Sequence, residues 1–176
     1  MEIKYNVVKD WPIKGVNFVD FTPSIMDSEV FEDIINKLNK NIKKFIDLKE
    51  IDYIIAPDAR GFIWGSALGI KNKIGVIPIR KHGKLPECCV SKSVTYKTEY
   101  SETILDMPKV DLKGKKCIFV DDVYATGGTY YAIKSLIESV GGLLVGGVVL
   151  YDVLISECNE IHSLLTSKDL ITEYME

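Results

Sequence analysis

A buried strand that ends on two acids and turns through small residues into a helix limits what this chain can become more than any other stretch. Cys117-Ile118-Phe119-Val120 are apolar, Asp121-Asp122 follow directly, and Val123-Tyr124-Ala125-Thr126-Gly127-Gly128-Thr129 form a compact loop. Ile133, Leu136, Ile137 and Val140 then recur at helical spacing, and Gly141-Gly142 ends the helix. Two neighbouring carboxylates at a strand end repel each other and lose hydration unless hydroxyls, a cation or a metal stabilise them. An isolated Asp-Asp pair is usually a solvated turn. Here Thr126, Gly127, Gly128 and Thr129 add hydroxyls and backbone N–H groups unshielded by large side chains, at the start of a helix that favours anions. The combination suits a sugar phosphate. It lacks both the G-x-x-x-x-G-K-[ST] pattern of a nucleotide P-loop and the G-x-G-x-x-G of a dinucleotide fold.

The rest of the chain alternates in the same way. Phe31, Ile34, Ile35, Leu38, Ile42, Phe45 and Ile46 form one apolar stripe, which predicts a helix over 28–46 capped by Asp27 or Ser28. Tyr53-Ile54-Ile55-Ala56 reads as a buried strand, followed by the turn Pro57-Asp58-Ala59-Arg60-Gly61 and a helix near 62–70. Gly75-Val76-Ile77-Pro78-Ile79 and Leu143 to Tyr151 read as further strands. Residues 82–108 show no steady period, although 94–100 can pair as a short hairpin. Beyond Tyr151 no chemistry is readable, and Ile161, Leu164 and Leu165 fit a terminal helix or a dimer edge. Alternation of strands and helices indicates an α/β fold with a parallel sheet and helices on both faces. Ligands of such sheets bind beyond the carboxyl ends of the strands. Three strand ends carry polar loops, at 57–61, 80–84 and 121–129.

Composition narrows the classes. The 176 residues suit a single domain with a real core. The net charge of −3 gives no basic field for nucleic acid, and no apolar run is long enough to span a membrane. The N-terminus has no apolar signal core. Cys88, Cys89, Cys117 and Cys158 show neither zinc spacing nor a disulfide framework, so a reducing, cytoplasmic setting is expected. Cys117 reads as a small hydrophobe, and Cys88 and Cys89 as free surface thiols.

The stretch Val120–Thr129 resembles the phosphoribosyl pyrophosphate (PRPP) signature of type I phosphoribosyltransferases. Asp58-Ala59-Arg60-Gly61-Phe62, Ile79-Arg80-Lys81-His82-Gly83-Lys84-Leu85-Pro86, Gly15–Pro23 and Glu99-Tyr100 resemble motifs of the adenine-specific members, in the right order. The similarity runs from about Asp10 to about Leu150. It implies the type I phosphoribosyltransferase fold: a small N-terminal hood of about 1–27, a core of about 28–151 and a mobile lid of about 85–108. It also implies a homodimer, a cytoplasmic enzyme of purine salvage, and transfer of phosphoribose from PRPP to adenine with release of AMP and pyrophosphate.

By the same resemblance Asp121 and Asp122 hold the ribose hydroxyls, and Ala125, Thr126, Gly127, Gly128 and Thr129 wrap the 5′-phosphate. The Asp58-Ala59 peptide is cis and faces pyrophosphate. Arg60, Lys81 and Lys84 neutralise that group, and Arg80 reaches the neighbouring subunit's site. Phe18 stacks on the purine, Val123 covers its other face, and backbone groups at Val19 read the base edge. Glu99, beside Tyr100 in the lid, handles the base proton. Mg²⁺ is carried on PRPP itself, in the neighbourhood of Asp121 and Asp122, with no ligand set of the protein's own.

Physical reasoning supports the basic groups independently. A lone R-K-H-G-K run is usually a solvated loop, but beside a sugar-phosphate loop a diphosphate site is the better reading. Departures from the family pattern lie at Asn17, Val19 and Ser101. Asn17 and the fading of the similarity past Leu150 leave transfer to xanthine, guanine or hypoxanthine as one alternative; a non-catalytic PRPP-binding regulator with the same fold and a generic phosphate-binding module are the others. The regulator reading is weakened by the retention of Arg60 and Lys84 and by the shortness of the segment before the first motif. His82 and His162 lack partners in sequence and receive no catalytic role.

Overall fold

The computed structural model describes residues 1–97 and 102–170. Its strands are β1 (Asn6–Val8), β2 (Phe18–Asp20), β3 (Tyr53–Pro57), β4 (Gly75–Lys81), β5 (Val90–Lys97), β6 (Glu102–Pro108), β7 (Lys116–Tyr124), β8 (Leu143–Asp152) and β9 (Ile161–Thr166). Its α-helices are α1 (Thr22–Met26), α2 (Ser28–Ile42), α3 (Gly61–Asn72) and α4 (Gly128–Ser139).

The seven-stranded sheet has the order β5-β6-β4-β3-β7-β8-β9. From β4 to β9 neighbouring strands run parallel, whereas β6 pairs antiparallel with β4 and with β5. The central strands are apolar on both sides, as strands covered by helices on both faces must be. Ile55, Ile77, Ile79 and Phe119 pack with Tyr130, Ile133 and Ile137 of α4. Ile54, Ile118, Val120 and Leu150 pack with Ile34 and Leu38 of α2 and with Trp64 and Leu68 of α3. β1 and β2 form a separate two-stranded antiparallel sheet ahead of the core.

The expected elements appear with shifted ends. The stripe at 28–46 is helical only to Ile42, and Asp27 is its cap, its carboxylate accepting from the N–H groups of Glu29 and Val30. Phe45 and Ile46 lie past the helix but pack into the same cluster, where the Phe45 ring stacks on His162 at 4.4 Å. The stretch read as mostly irregular, 82–108, contains a hairpin much longer than the one anticipated. Val94, Tyr96, Leu105 and Met107 pack toward α4, and Ser93 and Asp106 alternate to the other side. So few apolar residues per strand give a faint period.

Of the two C-terminal expectations, the helix is corrected. Ile161, Leu164 and Leu165 belong to strand β9, which extends the sheet beside β8, rather than to a helix. With only Ile161 fully buried, the segment has neither a helical stripe nor a clean alternation.

Candidate active site

β7 lies between β3 and β8 and, rather than ending on the acids, stays paired with β8 through Tyr124. Asp121 and Asp122 therefore sit near its carboxyl end, and Val123 and Tyr124 belong to the strand rather than to the loop. Asp122 is buried and Asp121 half-buried, and the Asp122 N–H donates to the Asp121 carboxylate at 2.9 Å. Burial, together with the neighbouring Asp122 charge, pushes the Asp121 carboxyl well above the usual carboxylate range. Burial raises Asp122 as well, against the pull of Arg60.

Arg60 precedes α3, and its Nε lies 2.8 Å from Asp122 Oδ2. α3 comes this close because its first residue is glycine. A Cβ on Gly61 would lie 2.6 Å from Pro57 Cδ and 3.1 Å from Asp121 Oδ1. The Asp58-Ala59 peptide just before Arg60 is cis.

The loop after the acids turns on Gly127, whose φ of +83° lies in the left-handed region that glycine adopts without penalty. Asp121 through Tyr130 line a cavity of about 220 Å³ together with Arg60, Phe119 and Tyr96. The Tyr96 and Thr129 hydroxyls meet at 3.0 Å. The loop is braced from below. Tyr130 donates to Glu160 at 2.7 Å, and Lys134 also binds Glu160. The Ser156 hydroxyl donates to the Tyr124 hydroxyl and to the Ala125 carbonyl.

A larger, more apolar cleft of about 470 Å³ adjoins this cavity and shares Arg60, Val123 and Ala125 with it. Phe18, Val19 and Asn17 line it from β2 and the residue before it. The Arg60 guanidinium lies 4.9 Å from the Phe18 ring centre, and Trp11 meets the same ring edge-on at 4.6 Å.

The basic residues at the end of β4 and in the turn after it sit apart from both cavities. Arg80 pairs with Asp58 at 3.1 Å and lies over the Phe62 ring, while Lys81 and Lys84 are exposed, with no ion pair among the described residues. Glu99 and Tyr100 lie outside the described residues. The structure thus brings Phe18, Val19, Arg60, Asp121, Asp122, Val123 and the 125–129 loop together.

Sequence reasoning missed one wall of the larger cleft. Tyr151, Val153, Ile155, Ser167 and Leu170 line it, although the sequence past Tyr151 shows no readable chemistry. Trp11 was missed too, and a tryptophan beside Pro12 just ahead of a motif was an available signal. Among the described residues, no three His, Cys, Asp or Glu side chains could together hold a metal ion. Burial drives the Cys117 thiol up to about 12, as befits a small apolar filler.

Residues 24–169 match the phosphoribosyl transferase domain family. The chain belongs to the phosphoribosyltransferase family. This phosphoribosyltransferase is 41% identical over 140 residues to the adenine phosphoribosyltransferase of Clostridium acetobutylicum, covering 79% of this chain and 78% of that protein. It is 39% identical over 166 residues to the adenine phosphoribosyltransferase of Kosmotoga olearia, covering 94% of each. Among solved structures, adenine phosphoribosyltransferase from Thermoanaerobacter pseudethanolicus aligns with a TM-score of 0.83 at 34% identity, over 92% of this chain and 95% of that one. The Saccharomyces cerevisiae adenine phosphoribosyltransferase, solved with an imino-altritol bisphosphate and adenine, gives 0.81 at 26% identity over 92% and 94%. The type I phosphoribosyltransferase fold and the kinship with adenine-specific members follow.

Proposed function

We propose that this phosphoribosyltransferase works in purine salvage, transferring the phosphoribosyl group of PRPP to adenine to give AMP and pyrophosphate. The observation that carries this reading is the pair of adjoining cavities, one polar and built on the acid pair and the glycine loop, the other apolar and floored by Phe18. Their shared wall of Arg60, Val123 and Ala125 is where a bond between ribose and base would form.

In this reading Asp121 and Asp122 accept hydrogen bonds from the ribose hydroxyls, and the N–H groups and hydroxyls of 125–129 receive the 5′-phosphate at the start of α4. Phe18 supports the purine and Val123 lies across from it, with Val19 at the base edge. As the C1–O bond to pyrophosphate lengthens, positive charge grows on the ribosyl ring, and the buried acids beside it become more favourable than in the empty site. Arg60 leaves Asp122 for the diphosphate, and the N–H groups near Asp58 and Ala59, with Lys81 and Lys84, neutralise the leaving group. Glu99 takes the base proton, and closure of the 85–108 segment excludes water. Mg²⁺ supplies charge neutralisation on the diphosphate when bound. The hard carboxylate oxygens of Asp121 and Asp122 suit such an ion, held mainly by substrate oxygens and water.

A cytoplasmic homodimer, with Arg80 serving the partner's site, belongs to the same proposal. Support comes from the exposed apolar side chains Met26 of α1 and Ile63 and Ile70 of α3, and sedimentation distinguishes a dimer from the 19.8 kDa monomer.

The direct test incubates PRPP with adenine, hypoxanthine, guanine or xanthine and follows nucleotide formation. Adenine is expected to turn over fastest, with activity lost in EDTA and restored by Mg²⁺. Preference for an oxopurine would shift the reading to another base, and Asn17 and Ser167 in the cleft would be its source. Binding of PRPP with no turnover on any base would leave a regulator. Phe18→Ala is expected to raise KM for adenine about tenfold, from a stacking contribution of about 1–3 kcal/mol, with KM for PRPP changed far less. A selective rise in KM for PRPP instead would remove Phe18 from the base site.

A further inference from the structure

The buried carboxylate of Asp106 lies outside both cavities, and the proposed chemistry makes no use of it. It is 1% exposed, in the middle of β6 and opposite Arg80 of β4. Its partners come from three directions. Ser93 of β5 donates its hydroxyl at 2.6 Å, His82 Nδ1 lies 3.1 Å from each carboxylate oxygen, and the Gly83 N–H donates at 3.3 Å. Burial raises a carboxyl, but here the Ser93 and His82 hydrogen bonds outweigh it and hold Asp106 below its usual value. The anion is therefore the form that the site is built for.

A buried anion is costly without partners, so a fold keeps one where its bonds fix something that apolar packing would leave loose. What these bonds fix is the turn 81–84. Gly83 sits there at a φ of +77°, the Lys84 N–H closes back on the Lys81 carbonyl at 3.2 Å, and Lys81 and Lys84 flank the His82–Gly83 pair that Asp106 grips. β5 and β6 are tied to the same carboxylate through Ser93.

We propose that Asp106 is a positioning residue for pyrophosphate: by clamping His82 and Gly83 it sets the direction in which Lys81 and Lys84 present their charges. The inference rests on the phosphoribosyltransferase reading and adds a residue to it that touches no substrate. His82, which the sequence left without a partner, acquires one. Its Nδ1–H is committed to Asp106, so it serves as the clamp's second jaw.

The test measures KM for PRPP and for adenine separately in wild type, Asp106→Asn and His82→Asn, with melting temperatures alongside. Asp106→Asn keeps the shape but loses the charge that two donors and an N–H share. It is expected to raise KM for PRPP, and for pyrophosphate in the reverse direction, by about tenfold, with KM for adenine within about twofold. His82→Asn, at a side chain 65% exposed, is expected to fold and to show the same selectivity at smaller size, and it carries the test alone if Asp106→Asn does not fold. Equal rises in both KM values, or an unchanged KM for PRPP in a folded variant, overturn the clamp and leave Asp106 a staple of the hairpin. Absence of turnover in wild type would instead overturn the proposed function.

Discussion

Asp121→Asn combined with Asp122→Asn is expected to cut AMP formation by at least about a thousandfold while raising the melting temperature of the empty protein at neutral pH. The catalytic loss follows from replacing two charged acceptors for the ribose hydroxyls with neutral amides, each keeping one weaker acceptor oxygen and turning an NH2 donor where the other oxygen stood. Losing one preorganised polar contact at a reacting centre costs about 10²–10³ in rate. The gain in stability follows from the sign of the titration. Both carboxyls are raised in the folded chain, Asp121 well above its ordinary value, chiefly by burial. Between an unfolded pKa near about 4 and the raised folded value, the folded protein binds more protons than the unfolded one, so stability falls as pH rises through that window. Asparagine carries no such cost. Arg60 loses its partner in the variant, but its side chain is 46% exposed and solvent compensates. Melting curves of wild type and double variant at pH 5 and pH 8 should therefore separate further at the higher pH. Activity retained in the variant would remove the acids from the site. A variant that melts lower than wild type at pH 8 would show that the pair stabilises the fold.

This opposition between site and stability explains what was legible in the chain. Asp121-Asp122 stood out because an apolar strand has no packing reason to end on two carboxylates, and Gly127 because a packed helix start rarely needs consecutive glycines. The central strands were legible from their unbroken apolar runs, and α2 from its stripe. Less legible were segments whose partners come from far along the chain. β9 is half-buried at a sheet edge, and its role depends on lying beside β8. Ser167 and Leu170 reach the larger cleft only because the chain returns after β9, and no local pattern announces that. Asp106 falls in the 82–108 stretch without steady period, and its partners Ser93 and His82 lie 13 and 24 positions away. Arg60 was assigned to pyrophosphate by resemblance. The structure shows it resting between Asp122 and Phe18, at the junction of the two cavities. Its ion pair offsets part of the cost of burying Asp122, and under the proposed function ribose hydroxyls would take over that task as Arg60 turned to the diphosphate.

Gly127→Ala is expected to cost PRPP affinity about a hundredfold or more, the second of the two largest effects. Both the backbone and the surrounding space oppose a side chain here. A φ of +83° is disfavoured for any residue with a Cβ, by about 1–2 kcal/mol. The methyl group would also lie 2.5 Å from the Tyr124 hydroxyl and 2.9 Å from Tyr131 Cε2, so one of these must move. Tyr124 is ill placed to yield: it is buried, its hydroxyl accepts from Ser156, and Ser156 also holds the Ala125 carbonyl. The loop is therefore the part that shifts, and it is the part whose N–H groups would meet the 5′-phosphate. A displacement of about 1 Å at such a contact is enough for a hundredfold loss. Because Phe18 and the rest of the base cleft lie away from Gly127, and Ser156 holds Ala125, the one loop residue the cleft shares, binding of free adenine should stay within about twofold of wild type. Calorimetry with ribose 5-phosphate and with adenine separates the two. Ribose 5-phosphate bound as tightly by Gly127→Ala as by wild type would mean that the phosphate sits elsewhere, whereas a loss confined to it would locate the phosphate on this loop, with the tyrosines as its floor.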